Sequence, residues 1–221
     1  MNYENNNIVK VRGKLVEELK YSHTIMGEGF FEGKIEIKRL SDESDILPIT
    51  VSERLSLNVK VGEFVTIVGQ LRSYNREEDG HSKLMLTVFA RKISDDCEEE
   101  YNNINLIGYI CKPPVFRTTP FGREIADVLL AVNRSYNKSD YLPCIAWGRN
   151  ARFIKDMQVG EKIEITGRVQ SRQYQKKDEN GETIIKTAYE ISINSAILAE
   201  ENYQQNEGII VENSKKIAAR V

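Results

Sequence analysis

Cysteine is scarce in this chain, three residues in 221, and Cys97, Cys111 and Cys144 are widely spaced with no CxxC pair. That excludes a disulfide framework and a zinc knuckle. Histidine is scarcer still, with only His23 and His81, and neither stands in a cluster resembling a metal site, so no metal or cofactor is expected. No apolar run approaches the roughly 20 residues that span a bilayer, and the opening MNYENNN lacks the charged-then-apolar pattern of a signal peptide. The chain therefore reads as soluble and cytoplasmic. A Gly-rich phosphate loop, a nucleophile elbow, a paired-carboxylate motif and metal spacing are all missing as well. The sequence is not that of an enzyme.

What is present is a repeat. At an offset of 95, Gly13, Gly27, Arg39, Ser44, Asp45, Leu47, Pro48 and Arg54 fall on Gly108, Gly122, Arg134, Ser139, Asp140, Leu142, Pro143 and Arg149. After a three-residue insertion the offset becomes 98, and Val61, Gly62, Glu63, Ile67, Gly69 and Ser73 fall on Val159, Gly160, Glu161, Ile165, Gly167 and Ser171. Duplication is the economical explanation. The like-charged run DDCEEEY at 95–101 cannot bury itself and reads as a solvated acidic linker. The expected organisation is a first domain at 1–94, the linker at 95–101, a second domain at 102–200 and a tail at 201–221.

A net charge of −2 argues against a nucleic-acid partner only until it is divided along the chain. Residues 1–94 hold 14 basic and 14 acidic groups, 95–101 five acidic ones, 102–200 14 basic against 11 acidic, and the tail three of each. The second repeat is mildly basic, and local field is what a phosphate strand meets.

In the second repeat, alternation predicts strands at 104–110, 125–133, 141–147, 162–174 and 183–193, with a short helix at 150–157 and an Asn180-Gly181 hairpin turn. Five strands with a helix between the third and fourth is the order of an OB-fold. The fold class is therefore all-β, two tandem five-stranded OB-fold Greek-key barrels with one short helix each. Along 141–147, alternation separates Tyr141, Pro143, Ile145 and Trp147 from the smaller apolar Leu142, Cys144 and Ala146, leaving the first set outward. Along the fourth strand Ile163, Ile165, Gly167 and Val169 form an apolar face, opposite Arg168, Gln170, Arg172 and Tyr174.

Four stretches of this repeat, FRTTPFG from Phe116, LAVNR from Leu130, DYLPCIAWGRNA from Asp140 and ITGRVQSRQY from Ile165, resemble the bacterial single-stranded DNA-binding protein family in order and spacing. The resemblance implies binding of single strands without sequence preference, bases stacking on rings and arginines meeting phosphates. Such stacking is worth about 1–3 kcal/mol per base across proteins of this kind. The family's stacking positions carry over onto Tyr136, Tyr141, Trp147 and Tyr174, and Arg117, Arg134, Arg149, Arg168 and Arg172 are candidate phosphate contacts. Arg134, Arg149 and Asp140 recur as Arg39, Arg54 and Asp45, which fits either phosphate contacts or an ion pair repeated for the fold's sake.

The corresponding positions of the first repeat are Ser41, Ile46, Ser52 and Arg76, none of them aromatic. Its scaffold residues match while its base-contacting ones do not, so it reads as a degenerate copy with a secondary role for Arg72, Tyr74 and Arg76. Family tetramers present four OB-folds, so a chain with two implies a homodimer. The tail ends basic, without the family's acidic tip, which puts tail-mediated recruitment of protein partners in doubt. The alternative reading is a primosome-like protein-interaction scaffold, because aromatics and arginines also make interface hot spots. The same reading serves replication, repair, recombination, transformation or a mobile element, and a stacking face of this kind accepts DNA or RNA.

Overall fold

Seventy per cent of the described residues are strand, as the period-2 patterns require. The computed structural model describes residues 5–41, 43–57, 59–78, 80–94, 99–177 and 181–199. The first repeat runs β1 (Asn7–Leu15), β2 (Lys20–Ile25), β3 (Glu28–Lys38), β4 (Ser44–Ser52), α1 (Glu53–Ser56), β5 (Phe64–Glu78) and β6 (His81–Ser94). The second follows the same course with β7 (Tyr101–Ile110), β8 (Val115–Thr118), β9 (Glu124–Arg134), β10 (Lys138–Trp147), α2 (Gly148–Ile154), β11 (Lys162–Lys177) and β12 (Thr183–Leu198). In each repeat the first strand pairs along most of its length with the penultimate one, and its end turns onto the third, Leu15 opposite Ile35 and Ile110 opposite Leu130. The fourth strand then closes in parallel on the last, Ile49 opposite Val88 and Cys144 opposite Ile191. These are two OB-fold barrels.

The same positions are interior in both copies. Val9, Val11, Leu15, Ile35, Ile37, Leu47, Ile49, Val51, Ile67 and Leu71 are buried, and so are their counterparts Ile104, Leu106, Ile110, Leu130, Val132, Leu142, Cys144, Ala146, Ile165 and Val169. Burying this apolar surface is the main favourable term holding each barrel. Two repeated glycines show what the scaffold demands besides hydrophobicity. A Cβ on Gly69 would lie 2.0 Å from the carbonyl oxygen of Phe89, and one on Gly167 2.3 Å from that of Ser192. Both stand where the pairing register shifts, a bulge that lets the long hairpin bend around the barrel.

Two details differ from the sequence expectation. Each barrel carries a further short strand, β2 or β8, in a hairpin on its neighbour. β8 is exposed throughout, so it has no alternation for a pattern to detect. The helix of the second repeat starts at Gly148 rather than 150 and ends at Ile154, with Ala151 and Ile154 buried and Met157 buried beyond its end. The first repeat lacks the three inserted residues, and its helix is a single turn.

The largest difference concerns the join. Instead of hanging on a spacer, the two barrels share one sheet in the order β2-β3-β4-β6-β5-β1-β7-β11-β12-β10-β9-β8. β1 and β7 pair antiparallel, Asn7 opposite Leu106 and Val11 opposite Asn102. Those two pairs exchange under the repeat offset, so a pseudo-twofold axis passes through the Val9–Ile104 pair. The clamps beside the axis repeat too. Asn7 donates to the Leu71 carbonyl at 2.8 Å and accepts from its N–H at 2.9 Å, and Asn102 does the same with Val169 at 2.6 and 2.9 Å. Tyr101, the last residue of the acidic run, already belongs to β7, and Glu100 accepts from the Lys38 N–H at 2.9 Å. Asp95 to Glu98 with Cys97, Asn180 of the hairpin turn, and the tail lie outside the described residues.

Candidate nucleic-acid interface

All four candidate rings of the second repeat reach solvent. Tyr136 is 94% exposed, Tyr141 48%, Trp147 39% and Tyr174 36%. Tyr141 and Trp147 stand on β10 six residues apart, an even spacing that keeps them on one face. The expectation that Pro143 and Ile145 share that exposure holds only in part. Pro143 is half-buried and Ile145 buried, because at Ile145 β10 is flanked on both sides, by Asp127 of β9 and Ser192 of β12. Tyr136 sits at the tip of the β9–β10 hairpin with φ +63°, followed by Asn137 at φ +53°. Two consecutive positive φ values are what a type I′ hairpin turn requires, yet a bulky residue resists them. The turn thus holds a large ring out in solvent at a cost in backbone energy.

On β11 the outward row is graded. Arg168 is half-buried, Gln170 is buried and donates to Glu190 at 2.7 Å, and Arg172 and Tyr174 are exposed, with the Arg172 guanidinium 5.9 Å from the Tyr174 ring centre. Arg172 lies 3.7 Å from Glu190. Arg149 is exposed at the start of α2. Arg117 on β8 donates to Asp127 at 2.9 Å, a contact that raises its pKa.

The repeated Arg–Asp pairs prove to be part of the fold. Asp45 is buried and accepts from Arg39 at 2.6 and 3.0 Å. It also receives a bond from Arg168 at 2.9 Å and one from the Ser171 N–H at 2.8 Å, both from the other repeat. The Ser171 hydroxyl returns the contact to the Ile46 N–H at 3.0 Å. Across the pseudo-axis, buried Asp140 accepts from the Ser73 N–H at 2.8 Å, and the Ser73 hydroxyl takes the Tyr141 N–H at 2.7 Å. Arg134 is only 3.6 Å from Asp140, and its Nε is buried without a hydrogen-bond partner among the described residues. The ion-pair alternative for Arg134, left open by the sequence, is therefore the contact seen.

The two sides of the axis differ in shape. At the seam where β4 meets β11 there is a cleft of about 750 Å³, reached by Lys34, Arg39 and Ile46 from the first repeat and by Trp147, Arg172 and Tyr189 from the second. Sequence reasoning missed Lys34 and Tyr189, since nothing in either repeat announces which strands face one another across the axis. It also passed over Phe121, which is 92% exposed in the turn closed by the Thr119 N–H and the Arg123 carbonyl at 2.8 Å. The Pro-Phe-Gly turn at 120–122 was the available signal.

The first repeat presents no matching ring face. Ser41 and Ile46 are exposed, Ser52 is buried, and Arg76 bonds Glu32 at 3.4 Å and the Tyr74 hydroxyl at 3.1 Å. Arg72 is half-buried over the Phe89 ring at 5.4 Å and bonds Gln70 at 2.6 Å; burial lowers its pKa, against an upward pull from Asp140. Among the described residues no group of three or more His, Cys, Asp and Glu could hold a metal ion, and no helix is long and apolar enough to cross a membrane.

The pattern of the single-strand binding protein family matches residues 101–212, half of the chain. The chain belongs to that family. A single-stranded DNA-binding protein of Clostridium tetani is 36% identical over 84 residues, 35% of this chain and 58% of that protein. Single-stranded DNA-binding protein 3 of Streptococcus agalactiae is 32% identical over 111 residues, 47% of this chain and 78% of its own length. The chain thus spans less than two thirds of some curated relatives it matches. The crystal structure of the wild-type single-stranded DNA binding protein from Thermus aquaticus superposes with a TM-score of 0.68 at 20% identity, over 89% of this chain and 94% of that one. That likeness extends the family fold over both repeats.

Proposed function

We propose that this protein binds single-stranded DNA without sequence preference, mainly through the second repeat, as a binding protein and not an enzyme. The supporting observation is the set of four solvent-facing rings, Tyr136, Tyr141, Trp147 and Tyr174, confined to the repeat that carries the family's pattern. Bases stack on these rings, and Arg172, Arg149, Arg117 and the partly exposed Arg168 and Arg134 supply positive charge along the strand's path. Arg72, Tyr74 and Arg76 make a weaker second surface. Because the repeats are already paired about a pseudo-twofold axis, one chain is the equivalent of a dimer of single-barrel chains, and a homodimer of it presents four barrels. The domain division at 1–94 and 102–200 describes units of duplication that are joined through one sheet.

Trp147 is the only tryptophan, so its fluorescence reports on the proposed face directly. Adding oligo(dT) quenches it strongly, a duplex of equal length does not, and the affinity falls as salt rises. Unquenched emission at saturating oligo(dT) removes Trp147 from the stacking set, and no binding at low salt removes the function.

A further inference from the structure

Each barrel meets the other at two seams related by the pseudo-twofold axis, one where β4 faces β11 and one where β10 faces β5. Equivalent positions follow from the repeat offsets and strand registers. Gln70 and Arg168 correspond, Gln70 pairs with Phe89 on β6, and Arg168 pairs with Ser192 on β12. Phe89 and Ser192 are therefore the same place in the two copies. At the β5 seam the Phe89 ring occupies that place, packed 5.6 Å from Phe30 and capped by Arg72 at 5.4 Å. At the β11 seam the place holds only a serine side chain, and Ser192 lines the 750 Å³ cleft.

What surrounds this opening is a mixed set from both repeats. Trp147 enters from the second repeat with Arg172 and Tyr189, and Ile46 and Lys34 enter from the first. Its floor is fixed by the buried Asp45 network, which holds Arg39, Arg168 and Ser171 in place from both sides. Lys34 is bonded to Glu17 at 2.7 Å but keeps 41% of its side chain exposed, and Arg172 keeps 57%. Glu43, bonded to Arg39 at 2.7 Å, stands at the mouth as an opposing carboxylate. A volume of this size matches sites that take a small organic group. An aromatic wall, an aliphatic wall and two solvent-reaching cations are what a base and its phosphate need.

We infer that the β4–β11 seam is a nucleotide-binding site shared by the two repeats, in which a base on Trp147 meets Ile46 and the adjoining phosphate is held by Lys34 and Arg172. This rests on the single-strand-binding reading above. It assigns the first repeat a specific part: it has no aromatic at the four stacking positions, but it forms one wall of the site built around its sibling's tryptophan. At the mirror seam the equivalent place is occupied by the Phe89 ring, so the proposed site belongs to the β4–β11 seam.

The test uses the whole chain and oligo(dT), with Trp147 quenching and the salt dependence of affinity as readouts. Lys34→Gln is expected to reduce the slope of log K against log salt by about 0.7, the value for one phosphate contact on a single strand. Lys60→Gln, an exposed lysine of the first repeat outside the cleft, leaves the slope unchanged. Ser192→Phe copies Phe89 into the open seam and is expected to weaken oligo(dT) binding at least about fivefold, with reduced Trp147 quenching. Should Ser192→Phe fail to fold, Lys34→Gln decides alone. Wild-type protein that binds and is quenched, beside a Lys34→Gln variant with the wild-type slope and affinity, overturns the shared site and leaves the function standing. Wild-type protein that binds no oligo(dT) at low salt overturns both.

Discussion

The two repeats of this chain differ least where side chains point inward and most where they point out. Leu47 and Leu142 fill the same barrel position, as do Ile67 and Ile165, and the bulge glycines Gly69 and Gly167 are kept. Elsewhere on the same strands, the buried Ser52 stands where Trp147 reaches solvent, and Arg76 stands for Tyr174. A barrel constrains alternate residues and leaves the others to function. Comparison of the copies therefore separates scaffold from site without any other sequence. The seam follows the same rule with a twist, because its polar clusters are repeated but unequally completed. Asp45 is met by two arginines and a backbone N–H, and Asp140 by one N–H and a distant Arg134.

That inequality yields the largest expected effect. Asp45→Ala leaves Arg39 and Arg168 without their buried partner and should cost about 3–5 kcal/mol of stability, the usual penalty for breaking a buried pair. Asp140→Ala should cost less, about 1–3 kcal/mol, the penalty of stranding the Ser73 N–H. Urea unfolding of the two variants measures both, and equal losses would show that the clusters are equivalent after all.

Next in size is the division of binding. Trp147→Ala should weaken oligo(dT) binding by about 1–3 kcal/mol, whereas Tyr74→Ala in the first repeat should change it by less than about 0.5 kcal/mol. Fluorescence anisotropy with a labelled oligonucleotide compares them, and a Tyr74 effect as large as that of Trp147 would make the copies functionally equal. The smallest effect has two signs. Tyr136→Asn relieves the positive φ at the hairpin tip and should raise stability by about 1 kcal/mol, since Asn tolerates that conformation, yet it should weaken binding. A variant that gains stability with no loss of affinity would mean that Tyr136 stays out of the site.

Much of this was legible in the sequence because duplication and alternation are both periodic signals. The barrels and their glycines follow from offsets, and the outward faces of Tyr141, Trp147 and Tyr174 from period 2, whereas Tyr136, in a loop, was marked only by the resemblance to the family. Ile145 did not follow, because alternation assigns a face and cannot say where a neighbouring strand shields it. Arg134 was ambiguous for a related reason: a repeated Arg–Asp couple looks the same whether it meets phosphate or its own carboxylate. The shared sheet was hidden behind an acidic run that reads as a spacer, since the β1–β7 pairing depends on two segments almost a hundred residues apart. Lys34 and Ile46 gained a candidate role only once β4 was found facing β11.

The central claim is that single strands lie mainly on the second repeat, with the first contributing at the seam and only weakly through Arg72, Tyr74 and Arg76. Ultraviolet cross-linking of oligo(dT) to the whole chain, followed by mapping of the linked residues, tests it most directly. The account predicts links concentrated at Trp147, Tyr141, Tyr174 and Tyr136. Links at Tyr74 as strong as those at Trp147 would contradict it.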